Sequence, residues 1–311
     1  MKKAILILIL LNVHSMPSVL AQGCSDAGFC SMGVLNQISY NDSLKINSAN
    51  LIFSYSIGEQ GTTIFQAIPD LTLGLFRNNT IQLRLPYFFI NGNLGNNQGI
   101  GDLSLSITQL LLKREKIKLS ITAGTKIATG HSDDFIEQDV TNNPLPLPMP
   151  YQTSLGTSDL ILGASLEYKR WNFSLGYQHV IKNKNQNGFL KIKWQENADA
   201  QKYFESNLLD RGNDALWRVE RSFYLKKISF TAGLLGIYRL KKDKINTLQN
   251  EKIEVNGSDG LTLNLTGSLK YYFSKNIDSK ISFGTPLVVR EIRPDGLTRE
   301  LVINCSFSFL F

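Results

Sequence analysis

Along most of the chain, apolar and polar residues alternate in runs of about ten, the period-two pattern of strands with one apolar and one wet face. In FSLGYQ, Phe173, Leu175 and Tyr177 share one face, and Ser174, Gly176 and Gln178 share the other. LTLNLTGSLKYYF repeats this, with Leu261, Leu263, Leu265, Leu269 and Tyr271 set against Thr262, Asn264, Thr266, Ser268 and Lys270. LSITAGTKI sets Leu119, Ile121, Ala123 and Ile127 against Lys118, Ser120, Thr122 and Lys126. Such runs predict strands near 48–58, 66–77, 80–90, 101–112, 116–127, 157–168, 171–182, 214–225, 228–240, 261–273, 277–290 and 299–311.

The gaps between these runs fall into two classes that alternate along the chain. NN, KREK, KR, KK and SKN are tight polar turns, whereas the intervening gaps hold GEQG, NGNLGNNQG, residues 129–156, 183–213, 241–260 and an RPDG turn. Short turns on one side and longer loops on the other are the habit of an outer-membrane barrel, with the short turns periplasmic. The expected fold is all-β: a transmembrane antiparallel up-and-down barrel of about twelve strands with long extracellular loops. A fourteen-strand count stays open if FLKIKW (189–194) extends a strand. Phe76, Tyr168, Trp171, Tyr224, Phe273 and Phe311 fall at the periplasmic ends, and Tyr87, Tyr177, Trp217 and Tyr238 toward the outer ends, as two interfacial girdles require. The last run, CSFSFLF, places Cys305, Phe307, Phe309 and Phe311 on one face. That row is expected to meet outer-membrane lipid, and a strand ending on Phe311 resembles the signal read by the barrel-assembly machinery.

The N-terminus sets the compartment. Lys2 and Lys3, the run AILILILL and the small residues before Gln22 read as a secretory signal peptide over 1–21. Cys24 as an acylated lipoprotein cysteine is the weaker alternative, because Gln22 and Gly23 make a poor lipobox. Residues 22–47 are expected to form a periplasmic arm or a plug, and residues 48–311 the barrel. Cys24 and Cys30, either side of five residues in an oxidising compartment, are a candidate disulfide, with unpaired thiols as the alternative. The formal net charge of +7 falls to +5 once Lys2 and Lys3 are removed, and no basic stripe with interleaved aromatics suggests nucleic acid. ENADAQKYFESNLLD (196–210) reads as a helix in an external loop, with Gly212 as its stop.

Arg84, Asp102, Lys118, Lys126, Asp159, Glu167, Lys270 and Lys280 all fall on the inward parity. A lipid-facing Arg or Lys near the bilayer midplane costs about 2–4 kcal/mol, so these charges are expected in the lumen, either lining a solute path or filling a closed barrel. His131 in GHSDDF sits beside Ser132 and Asp133, but adjacent residues do not converge as a catalytic triad must. Asp133, Asp134, Glu137 and Asp139 lack the ligand spacing of a calcium loop, and GIGD lacks the helix and Gly-Lys pair of a phosphate cradle. No catalytic group, metal cluster or cofactor is therefore assigned. Three functions remain. The first is passive passage of a small solute, hydrophobic or aromatic in one reading. The second is a closed barrel with a structural or surface-binding role. The third and weakest is a lipid hydrolase using His179.

GIGDLSLSITQLLL (99–112), ITAGTKIATG (121–130) and GTSDLILGASLEYKRWNFSLGYQ (156–178) together resemble an outer-membrane family named for the meta-pathway of phenol degradation. The resemblance implies a barrel concerned with transport, in some cases alongside aromatic-degradation enzymes. Asp102, Lys126, Thr129, Gly130 and Asp159 match the family-like strand ends, and no catalytic motif is carried over. The chain departs from the family in CSDAGFC and in the long loop at 183–213.

Overall fold

The computed structural model describes residues 45–311 except 77, 138–143, 196 and 298. Residues 1–21, all but the last three of 22–47, and both Cys24 and Cys30 lie outside it. The strands are β1 (Lys45–Gly58), β2 (Thr63–Phe76), β3 (Asn79–Arg84), β4 (Tyr87–Gly92), β5 (Gly95–Ile100), β6 (Leu103–Arg114) and β7 (Ile117–Ile127). After the short pieces β8 (Phe135–Ile136) and β9 (Leu145–Pro146) come β10 (Thr157–Tyr168), β11 (Trp171–Asn183), β12 (Asp214–Leu225) and β13 (Ile228–Arg239). Then follow the loop hairpin β14 (Lys244–Asn246) and β15 (Lys252–Glu254), and finally β16 (Gly260–Tyr272), β17 (Ile277–Val288) and β18 (Arg299–Leu310).

Every long strand pairs antiparallel with its neighbours, and β1 pairs with both β2 and β18, which closes the sheet. Leu85–Pro86 interrupts one crossing between β3 and β4, and Gly101–Asp102 interrupts the next between β5 and β6; the two breaks are neighbours, joined by Gly101 N–H donating to Pro86 O at 2.8 Å. Counting each interrupted pair as one crossing gives a closed barrel of twelve strands. Closure leaves no free edge, which matters because each unpaired backbone group in hydrocarbon costs several kcal/mol.

The predicted parity governs the wall. Outward residues of β11 (Phe173, Leu175 and Tyr177) are exposed, while Asn172, Ser174 and Gln178 are buried inward. Phe307, Phe309 and Phe311 stand exposed on the outer face of the closing strand and its end. Tyr168, Trp171, Tyr224 and Phe273 are exposed at the periplasmic end, and Tyr87, Tyr177 and Tyr238 toward the outer end. A water-soluble barrel would not expose such belts, and lipid accounts for them.

The external loop at 183–213 departs from expectation. Its described residues form 3-10 turns at Lys191–Trp194 and Ala200–Lys202 and no α-helix. Inward burial takes precedence there: Trp194, Ala200, Tyr203 and Leu209 are all buried, while Leu208 is exposed. FLKIKW consequently adds no strand.

Candidate functional site

The extracellular loops fold over the lumen and share a core. Leu145, Leu147 and Tyr151 from 129–156 pack with Phe189, Trp194 and Tyr203 from 183–213, and with Ile64, Phe88, Ile90 and Leu94 of the wall and its hairpins. Prolines at 144, 146 and 148 hold the start of the first segment extended, so Leu145 and Leu147 reach inward ahead of the 3-10 turn Met149–Tyr151. Hydroxyls fasten the core: Tyr151 Oη accepts from Leu94 N–H at 3.0 Å and lies 3.2 Å from Tyr203 Oη, which is 2.9 Å from Thr62 Oγ1. A second cluster joins Met149 and Leu155 to Leu209, Ile245 and Leu297, so four external loops meet.

Beside these cores lies a buried layer of ion pairs. Arg239, at the outer end of β13, is 1% exposed and donates to Asp214 Oδ1 at 2.6 Å, to Asp295 Oδ2 at 2.9 Å and to Asp243. Arg290 reaches Asp295 at 2.8 Å and Asp243 at 3.5 Å, and Arg211 pairs with Asp214. Arg293 ties the last loop to Glu59 in the β1–β2 turn at 3.1 Å. Burial resists ionisation of Asp295, yet Arg290, Arg239 and Arg211 hold its carboxyl well below the usual carboxylate range. Glu59 behaves oppositely: burial pushes its carboxyl up to about 7 against the pull of Arg293.

The candidate lumen residues separate by height. Lys126 Nζ lies 3.0 Å from Asp102 and 3.3 Å from Asp159, and Asp159 is 3.8 Å from Arg211, which joins this trio to the loop layer. Thr129 Oγ1 donates to Gly101 O at 2.7 Å, and Gly130 N–H approaches Asp102 Oδ1 at 3.4 Å. The residues that carry the family resemblance thus meet at one point on the outer rim of the lumen. Arg84 pairs with Asp70 at 3.1 Å farther in, where Gln82 also donates to Asp70 at 2.7 Å. Lys118–Glu167 and Lys270–Asp278, both at 2.9 Å, sit near the periplasmic ends, and Lys280 lies on the strand between β16 and β18. Between these charges the inward face is largely hydroxyl and amide, including Thr108 against Thr122 at 2.7 Å and Ser120 against Ser165 at 2.9 Å.

Where Arg84, Asp102 and Lys126 face Met149, Leu155 and Leu297 of the loops there is a void of about 60 Å³. It has room for a few waters and is too small for an organic solute. His131 is exposed in its loop, 3.8 Å from Asp133. His179 stacks on Tyr177 at 6.2 Å on the outward face of β11. No group of three or more metal-ligating side chains is found among the described residues, of which Asp139 is not one.

No family model matches the chain, and no curated protein matches it. Among solved structures, an outer membrane channel of Pseudomonas putida F1 superposes with a TM-score of 0.56 at 13% identity, over 88% of this chain and 97% of that one. The chain is a bacterial outer-membrane β-barrel. The NanC porin (TM-score 0.49, 10% identity, 85% of this chain and 100% of that one) and the CymD monoaromatic hydrocarbon channel (0.42, 11%, 96% and 99%) are more distant matches. At these identities the likeness is one of fold.

Strand parity found the wall charges but missed most of the outer layer. Glu59, Arg211, Asp214, Arg239, Asp243, Arg290, Arg293 and Asp295 are at strand ends or in loops, where no period marks which way a side chain points. The signal present in the sequence is the density of Asp and Arg in DRGND, RLKKD and REIRPD.

Proposed function

We propose that this barrel is a passive channel for small polar solutes whose outer mouth rests closed. The observation that carries the reading is the buried Arg–Asp layer that fastens four folded loops to the lumen wall. Several kcal/mol are spent desolvating each buried ion, so such a layer makes a poor inert filler and a good two-state closure. Below it, a wall of hydroxyls, amides and mostly paired charges of both signs offers hydrogen bonds with little net field, which suits neutral or zwitterionic solutes. The aromatic solute implied by the family resemblance fits this wall less well.

Swelling of liposomes carrying the mature protein with its 289–298 loop shortened tests the solute class. Uptake of small neutral sugars above that of aromatic acids is expected, and the reverse order would overturn the polar-solute reading. A second reading, a permanently closed barrel acting through its outer surface, is favoured by the apolar core shared by the loops. It predicts no uptake at all. In either reading residues 22–47, of which only the last three are among the described residues, are proposed as a periplasmic arm or plug, and the strand ending at Phe311 as the segment that engages the barrel-assembly machinery.

A further inference from the structure

We propose that the outer ends of β11 and β13 dock the phosphorylated headgroup of an outer-leaflet lipid. On β11 the outward row Phe173, Leu175, Tyr177 ends in a register shift, where Ser158 pairs with Lys182 while Asp159 pairs with Val180. Asp159 and Val180 point inward, so the extra residue at Ile181 turns Lys182 to the outer face beside it. Ile181 is 62% exposed.

Asn213 holds β13 to the same spot. Its Oδ1 accepts from Val180 N–H at 3.0 Å, its Nδ2 donates to Tyr177 Oη at 3.2 Å, and its carbonyl accepts from Leu240 N–H at 2.9 Å. Lys182 and Lys241 therefore each stand within two residues of one clamp, with Lys184 just above, and all three are exposed. They make no ion pair among the described residues, whereas nearby Lys244 and Lys252 are taken up by Glu254 and Asp210.

Below the lysines, Tyr177, Ile181, Tyr238 and Leu240 are exposed and continue the lipid-facing belt. The patch is thus apolar at acyl-chain height and cationic at headgroup height. The sector of β4 to β6 has no such charge: residues 85–112 contain neither Lys nor Arg. Nothing about solubility demands that asymmetry, and an anionic headgroup bound on one side explains it.

The test is native mass spectrometry of the full mature protein in mild detergent, titrated with lipid A bearing both phosphates or with the enzymatically dephosphorylated lipid. Retention of the phosphorylated form is expected to be stronger by roughly tenfold or more, given the attraction of several lysines to an anionic surface. The triple variant K182Q/K184Q/K241Q should lose that preference, while K191Q/K202Q, on the loop surface, should keep it. Folding of each variant is checked by heat-modifiable electrophoretic mobility. The proposal is overturned if the folded triple variant keeps the preference, if both lipids bind alike, or if inorganic phosphate alone competes fully at the strength of the lipid.

Discussion

Arg239 concentrates the electrostatics of the mouth in one side chain. Replacing it with Ala leaves Asp214, Asp243 and Asp295 without their shared partner, and removing one member of a buried ion pair costs about 3–5 kcal/mol. Arg239→Ala should therefore expose the 240–259 and 289–298 loops to protease at temperatures where the wild type resists, with the barrel itself still folded. Glu59 makes the closure sensitive to pH. Its carboxyl, raised to about 7 from 4.5 by burial, binds protons more tightly in the closed mouth than in an opened one. Acid thus favours closure, and that stabilisation is lost as pH rises from about 4.5 through about 7. Protease cutting of the outer loops should increase over that window, and Glu59→Gln should remove the dependence. Persistence of the full pH dependence in the Gln variant would show that another group is responsible. Lys126, Asp102 and Asp159 were legible from strand parity and from the resemblance. Arg239 was not, because two of its partners, Asp243 and Asp295, lie in loops, where no strand period places them.

At the scale of elements, the strands were read from alternation to within a few residues, because a wall with lipid on one side enforces the period-two pattern. β1 begins at Lys45 rather than residue 48, Pro86 divides a crossing that read as continuous, and Gly95–Ile100, read as part of a loop, forms β5. The loop at 183–213 was misread because its spacing of Tyr203, Phe204 and Leu208 imitates a helical face; in the fold Tyr203 is buried and Leu208 is exposed. Burial against Tyr151 and Thr62 decides that segment, which no local pattern announces. Tyr203→Ala should empty a fully buried aromatic site, at a cost of about 3–5 kcal/mol. The expected result is earlier proteolysis between residues 183 and 213 with unchanged strand content by circular dichroism. Equal protease resistance would mean that the loop core does not hold the mouth.

At the scale of the molecule, a lipid-facing exterior, a polar lumen and an ion-paired lid of loops are the parts on which the proposal of a channel kept shut from outside rests. The sequence carried the exterior and the lumen because both follow the strand period, and it left the lid hidden because loops have none. Single-channel recording in planar bilayers, comparing the full mature protein with Arg239→Ala, tests this most directly. A wild type closed at rest with rare openings, and a variant that conducts steadily, are the expected results. A folded, membrane-inserted Arg239→Ala protein as silent as the wild type would contradict the proposal and leave a closed barrel that acts at its outer surface.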